Sequence, residues 1–168
     1  TRNLKDLGFK INYHMMPGLP LSNPKKDLKD LIKTVEDPNY RPDMYKMYPT
    51  MVMKGTGLFK LMKNKKYNPI TTEIAADIIS DFKAHVPNFV RIMRVQRDIP
   101  TNVTEAGVDK TNLRQYVEKK LKEKKIVCNC IRCREAGLAS REHKIKSSEL
   151  KLFVDEYESS NGKEFFIT

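Results

Sequence analysis

Three short apolar runs, each closed by a polar segment that contains Pro or Gly or is rich in charge, constrain the fold more than any other feature. The first is Phe9-Lys10-Ile11-Asn12-Tyr13-His14-Met15-Met16, which stops at Pro17-Gly18-Leu19-Pro20. The second is Met44-Tyr45-Lys46-Met47-Tyr48, followed by Pro49-Thr50 and continuing to Val52. The third runs from Phe89 to Val95 and leads into Gln96-Arg97-Asp98-Ile99-Pro100. Between them lie stretches of helical period. Ser22-Asn23-Pro24 offers a start for a helix over 25–36, with Leu28, Leu31, Ile32 and Val35 at helical spacing. Thr71 or Thr72 caps a helix from Glu73 to about Val86, with Ile74, Ala75, Ile78 and Phe82 on or near one face. A shorter helix is expected within 56–62. Strand, helix, strand, helix, strand predicts an α/β unit with a parallel sheet, whose strand carboxyl ends carry any site. Three strands cannot close a barrel.

After Pro100 the pattern changes. Residues 112–125 form a basic amphipathic helix with Leu113, Tyr116, Val117 and Leu121 on one side. Two apolar runs, 150–157 and 164–167, flank Ser159-Ser160-Asn161-Gly162-Lys163, and Asn-Gly between such runs predicts a hairpin.

All three cysteines, Cys128, Cys130 and Cys133, fall within six residues. Thiolates this close can converge on one soft metal ion. An odd, clustered set does not read as a disulfide framework, and metal binding in a reducing compartment fits better. Redox thiols and an incidental cluster are the alternatives. Three ligands are one short of a closed tetrahedral zinc site. His143, ten residues beyond Cys133, is one candidate for the fourth; water, a cofactor or another domain are others.

The net charge is +11, and per residue the excess is densest around these cysteines. Residues 105–146 hold 12 basic and 6 acidic side chains, whereas 147–168 hold 2 and 5. A basic surface beside a metal site favours phosphate-rich partners, and tyrosines with Phe89 could stack single-stranded bases. No run of apolar residues is long enough to span a membrane. The opening Thr1-Arg2-Asn3-Leu4-Lys5 resembles neither a signal peptide nor a natural start, so the chain is expected to be a piece of a longer one.

His14 and Gly18 close the first strand, and Tyr48 closes the second. Lys54-Gly55-Thr56-Gly57 matches no nucleotide-binding fingerprint. In an extended strand Arg91 and Arg97 share one face and Arg94 takes the other, with Asp98 as a local partner. The residues contain no Ser-His-Asp set and no His-Glu-x-x-His, and they assemble no complete catalytic site.

His14-Met15-Met16-Pro17-Gly18-Leu19-Pro20, Asp37-Pro38-Asn39-Tyr40-Arg41-Pro42-Asp43, Lys46-Met47-Tyr48-Pro49-Thr50, Lys54-Gly55-Thr56-Gly57-Leu58, Val95-Gln96-Arg97-Asp98-Ile99-Pro100 and Asn112-Leu113-Arg114 follow in order, and the cysteine run ends in Arg132-Cys133-Arg134-Glu135. Together they resemble the family of the catalytic subunit of Elongator. The resemblance implies a radical S-adenosylmethionine barrel followed by a GNAT-type acetyltransferase domain, modifying the wobble uridine of tRNA with a carboxymethyl-type group. It implies S-adenosylmethionine, a 4Fe–4S cluster and acetyl-CoA as cofactors of the full-length protein, and zinc at the cysteines. On this map residues 1–104 are the C-terminal part of a TIM-like barrel, 105–146 a zinc-binding linker, and 147–168 the first acetyltransferase hairpin. His14, Gly18, Tyr48 and Gln96 become barrel-mouth residues toward the cofactor. Arg97, Arg114, Lys119, Lys120, Arg132 and Arg134 become tRNA contacts. Implied partners are tRNA, other parts of the same enzyme, a second copy or Elongator subunits, in the cytoplasm. The family's cluster-binding loop belongs upstream of Thr1 and its acetyl-CoA loop downstream of Thr168, so the piece alone is expected to be inactive. The rival reading is a non-enzymatic zinc-knuckle RNA-binding module.

Overall fold

A computed structural model describes residues 1–138 and 150–168. His143 lies outside the described residues. The elements are α1 (Arg2–Asp6), β1 (Asn12–Met15), α2 (Pro24–Glu36), β2 (Met44–Met47), β3 (Met51–Met53), α3 (Gly57–Lys63), α4 (Thr72–Lys83), β4 (Arg91–Arg94), β5 (Thr104–Gly107), α5 (Leu113–Glu123), β6 (Val154–Ser159) and β7 (Gly162–Ile167). Strands β1, β2 and β4 form a parallel sheet in that order.

Local chemistry starts the helices where the sequence signals them. Asn23 accepts from the Lys26 N–H at 3.0 Å, with Pro24 at the first helical position of α2. For α4 the cap is Thr71, whose hydroxyl accepts from the Ile74 N–H at 3.2 Å. Thr72 instead donates to Asp109 at 2.7 Å, tying the helix start to the chain before α5.

Period-2 alternation gives the sheet two unlike faces. Tyr13, Met15, Tyr45, Met47, Ile92 and Val95 point to the helical layer and join Leu31, Val35, Ile79 and Phe82 in one core. Tyr45 meets Phe82 edge-on, with centroids 5.3 Å apart. The other face carries no helix of the described residues. Across it run Asn12, Met44 and Arg91, and then His14, Lys46 and Arg94, in register.

That second row corrects the alternation expected for the arginines. Tyr45 pairs with Ile92 but Lys46 pairs with Arg94, so Met93 is an extra residue in β4. A bulge reverses the parity of everything after it. Arg94 therefore shares the open face with Arg91, and Val95 rather than Arg94 turns into the core.

The run 44–52 is two strands, not one. Pro49 has no N–H to donate, and Thr50 bonds sideways: its N–H and hydroxyl both donate to the Pro17 carbonyl at 2.9 Å. Beyond it β3 pairs antiparallel with β5. Gly107, at φ +100°, ends β5 against the Thr50 backbone, where a Cβ would collide with the Thr50 carbonyl oxygen. The Thr-Glu-Ala-Gly of β5 carries no strand pattern of its own; pairing to β3 makes it one.

The hairpin β6–β7 forms with Ser160 and Asn161 at the turn and Ser159 opposite Gly162, one residue earlier than Asn-Gly placement suggests. Ser160 takes the positive φ, 55°. The hairpin docks beneath the amino-terminal ends of the parallel strands. Tyr157 stacks on Phe89, with ring centroids 3.5 Å apart. Arg41 donates to the carbonyls of Val35, Glu36 and Glu158, and the Ser160 N–H donates to the Pro38 carbonyl. At the centre the Lys5 ammonium, its side chain 2% exposed, meets Asp43 at 3.0 Å and Glu164 at 2.6 Å. The Tyr157 hydroxyl donates to the same Glu164 carboxylate at 2.7 Å.

Two outcomes test this arrangement. Phe82→Ala should destabilise the fold by about 3–5 kcal/mol in urea titrations, from lost burial plus the cavity left behind. Partial burial pushes the Glu164 carboxyl up, but hydrogen bonds from Lys5 and Tyr157 outweigh it and hold it at about 2. A carboxyl with a depressed folded value stabilises above its unfolded range and loses that contribution as pH falls. Thermal stability should therefore decline from about pH 4.5 toward pH 2, and Glu164→Gln should flatten that part of the profile.

Candidate metal centre and sheet mouth

The cysteine loop hangs from the same amino-terminal end of the sheet. The Ile131 N–H donates to the Val90 carbonyl at 2.9 Å, and the Cys133 N–H closes a turn on the Cys130 carbonyl at 2.9 Å. Arg134 braces the loop, donating at 2.8 Å to the carbonyls of Asn129 and Asn88. The three Sγ atoms lie within 4.8 Å of one another. Cys128 and Cys130 are buried and Cys133 is exposed.

Beneath the sulfurs sits a cation that the sequence reading did not single out. Lys83 ends α4 at 2% exposure, its ammonium 3.4 Å from Cys133 Sγ and 4.0 Å from Cys130 Sγ. Among the described residues it has no carboxylate partner. A buried ammonium needs a counter-charge. Burial works against its charge, but the sulfurs of Cys130, Cys128 and Cys133 outweigh this and raise its pKa. In return, hydrogen bonds from Cys128 and Cys133, together with Lys83, push the Cys130 thiol down toward thiolate, while Cys128, sharing its proton, is pushed up. The donor set fits a divalent soft ion: three thiolates and a dication carry one net negative charge, which Lys83 balances. No His, Asp or Glu of the described residues joins the group. The signal for Lys83 was its spacing, four residues after Ile79 on the buried face of α4.

At the opposite, carboxyl-terminal end of the strands, His14, Tyr48 and Arg97 come together. The His14 and Tyr48 rings meet edge-on at 5.5 Å, and the Arg97 guanidinium lies 5.3 Å over Tyr48. A cavity of about 450 Å³ opens beside them, between His14, Pro17 and the start of α2. Gly18 and Gln96 are placed differently. The Gly18 N–H donates to Asp27 at 2.7 Å and its carbonyl accepts from the Tyr67 hydroxyl at 2.5 Å. At φ +87°, an added Cβ would lie 2.6 Å from the Ile70 side chain. Gln96 accepts from the Leu113 N–H at 3.0 Å and donates to the Lys110 carbonyl, fastening the start of α5. Both therefore shape the mouth through backbone contacts.

The remaining basic candidates separate. Arg114 and Arg132 line a cleft of about 450 Å³ along the free edge of β4, together with Arg91 and Arg94. Arg134 is spent on backbone carbonyls of the cysteine loop. Lys120 pairs with Asp77 at 3.2 Å, across the packed α4–α5 face, and Lys119 with Glu123 at 3.8 Å. The Arg132 guanidinium, with Arg91 behind it, holds the Glu135 carboxyl below the usual range.

Metal analysis checks the charge balance. The purified protein should retain one zinc per chain, and Cys130→Ser should lose it. Lys83→Met, which keeps the volume and removes the charge, should weaken zinc retention about tenfold or more against a competing chelator.

Comparison with known proteins matches residues 42–123 to the Radical SAM C-terminal domain. The whole chain is 42% identical to the tRNA uridine(34) acetyltransferase of Methanocaldococcus jannaschii over 170 residues, covering 31% of it. It is 36% identical to Elongator complex protein 3 of Homo sapiens over 164 residues, covering 98% of this chain and 30% of that protein. The structure superposes on archaeal Methanocaldococcus infernus Elp3 carrying an N-terminal deletion with a TM-score of 0.93 at 40% identity, over 99% of this chain and 40% of that one. The chain thus spans about a third of the length of the curated relatives it matches. It belongs to the family of the tRNA uridine(34) acetyltransferases and Elongator complex protein 3.

Proposed function

We propose that this chain serves in the modification of the wobble uridine of tRNA, as part of an enzyme that adds a carboxymethyl-type group from acetyl-CoA. The observation that carries the reading is similarity over the entire chain, at 42% identity, to a protein named for uridine 34 acetyl transfer. Residues 1–104 then supply the last strands of a radical S-adenosylmethionine barrel, 105–146 a zinc-holding basic linker, and 147–168 the opening hairpin of a GNAT-type acetyltransferase domain.

The two faces of the sheet support this division. The open face carries His14, Lys46 and Arg94, with Asn12 Oδ1 buried and without a hydrogen-bond partner among the described residues. Polar donors and an orphan acceptor suit a charged small molecule rather than a packed core. S-adenosylmethionine, bound with its 4Fe–4S cluster in the full-length protein, would supply radical chemistry there. His14 and Tyr48 would present rings to it, while Gly18 and Gln96 hold the loops that frame it. Zinc would serve as a structural clamp on Cys128, Cys130 and Cys133, at the end of the strands away from the mouth. Arg97, Arg114 and Arg132 would meet tRNA phosphates, with Lys119 and Lys120 on the neighbouring helix. Elongator subunits or a second copy are the proposed protein partners, and the cytoplasm the proposed location; no helix of the described residues is long and apolar enough to cross a membrane.

The free-standing zinc-knuckle reading is weaker. Leu113, Val117 and Cys130 belong to the same core as Ile79 and Phe82, so the knuckle has no separate interior. Its own cation partner, Lys83, comes from the barrel side.

Binding of a tRNA transcript to the full-length protein across a salt series tests the proposal. Affinity should fall steeply with salt, and Arg97→Gln should weaken binding and lower the log–log slope by about 1, one phosphate contact. Absence of tRNA binding at low salt would overturn the reading.

A further inference from the structure

The cleft along β4 is built from both sides of the metal loop. Arg91 and Arg94 project from the strand, placed together by the Met93 bulge. Arg114 comes from the first turn of α5, its guanidinium 3.4 Å from the Met93 carbonyl. Thr111 and Asn112 bring the start of that helix to the cleft wall, where the Leu113 N–H is already capped by Gln96. The fourth arginine is Arg132, which sits inside the cysteine loop with Cys130 two residues before it and Cys133 immediately after.

Four guanidiniums face few carboxylates. Arg94 pairs with Asp98. Arg91 and Arg132 share one oxygen of Glu135, at 3.3 and 2.6 Å. Arg114 has no carboxylate partner among the described residues. The cleft thus keeps an excess of two positive charges, in the fork geometry that suits phosphate oxygens. Arg132 reaches it only because the backbone on either side is fixed: Cys130 is fully buried, and the Cys133 N–H turns back onto its carbonyl.

We infer that this cleft binds backbone phosphates of the RNA substrate and that the metal at the cysteines sets its affinity by holding Arg132 in place. The inference rests on the tRNA reading above and adds a coupling between two features which that reading leaves separate. With the ion bound, the turn Cys130–Cys133 is clamped at both ends and Arg132 joins Arg91 across Glu135. Without it, the three thiolates lose their shared cation, the turn loosens, and Arg132 leaves the cleft. Arg132 is a positioning residue for phosphate; the ion touches no RNA. An alternative source of the same phosphate chemistry is a coenzyme A moiety, which a small-molecule arm of the test separates.

The experiment is a cycle on the full-length protein, with tRNA transcript and coenzyme A as separate probes. Wild type and Arg132→Gln are each measured zinc-loaded and after chelation, with zinc content and circular dichroism recorded alongside. Arg132→Gln should retain its zinc and bind tRNA about tenfold more weakly. Chelation should weaken wild type by a similar factor and leave Arg132→Gln unchanged, a non-additive pair. Arg91→Gln, on β4 outside the cysteine loop, should weaken tRNA binding in both metal states. Equal, independent losses from chelation in the two proteins would overturn the coupling while leaving tRNA recognition intact. Loss of coenzyme A binding with tRNA binding unchanged would overturn the assignment of the cleft to RNA. Failure of the zinc-loaded wild type to bind tRNA would overturn both this inference and the reading beneath it.

Discussion

The structure depends on the burial of α4. This helix packs Ile79 and Phe82 against the sheet, touches α2 on one side and α5 on the other, and is pinned at its start by Thr72 to Asp109. A helix covered on three sides can hold a charged residue in its last turn only if the charge is matched there. The match is the cysteine loop around Lys83. One packing decision therefore fixes the sheet, docks α5 and creates the environment that pushes Cys130 toward thiolate.

Parallel strands separate the two chemical ends of the molecule. The mouth, with His14, Tyr48 and Arg97, lies at the carboxyl ends, where loops after each strand converge. The cysteine loop and the hairpin lie at the amino ends, joined through Val90, Asn88 and Phe89. The hairpin is held by a buried ammonium, Lys5, between Asp43 and Glu164, a second place where position depends on charge balance. Two such points, Lys83 and Lys5, both clamp segments onto the sheet end remote from the mouth. That placement suits structural clamps and leaves the mouth side free.

Much of the fold was legible in the residues. Asn23-Pro24 and Thr71 mark real helix starts because their side chains satisfy backbone N–H groups that nothing else can reach. The three strands and the clustering of the cysteines followed from period and spacing. The bulge at Met93 was not legible, since no Gly or Pro marks it; it arises from the pairing of β4 with β2. Strand β5 was missed because its ladder comes from β3, not from its own composition. Lys83 was overlooked because a lysine at a helix end is ordinarily a solvated cation.

The sequence by itself determined the alternation of strands and helices, the capping of those helices, and the presence of three thiols close enough to share one ion. These are local matters, decided within a few residues by hydrogen-bonding capacity and hydrophobic period. Only the tertiary structure decided that Arg91 and Arg94 face the same way, that the Gly18 backbone bonds to Asp27 and Tyr67 while the Gln96 side chain bonds to the backbone before α5, and that a buried ammonium balances the sulfurs. Those outcomes depend on which distant segments meet, and charge and parity at each meeting point are set by partners that lie tens of residues away along the chain.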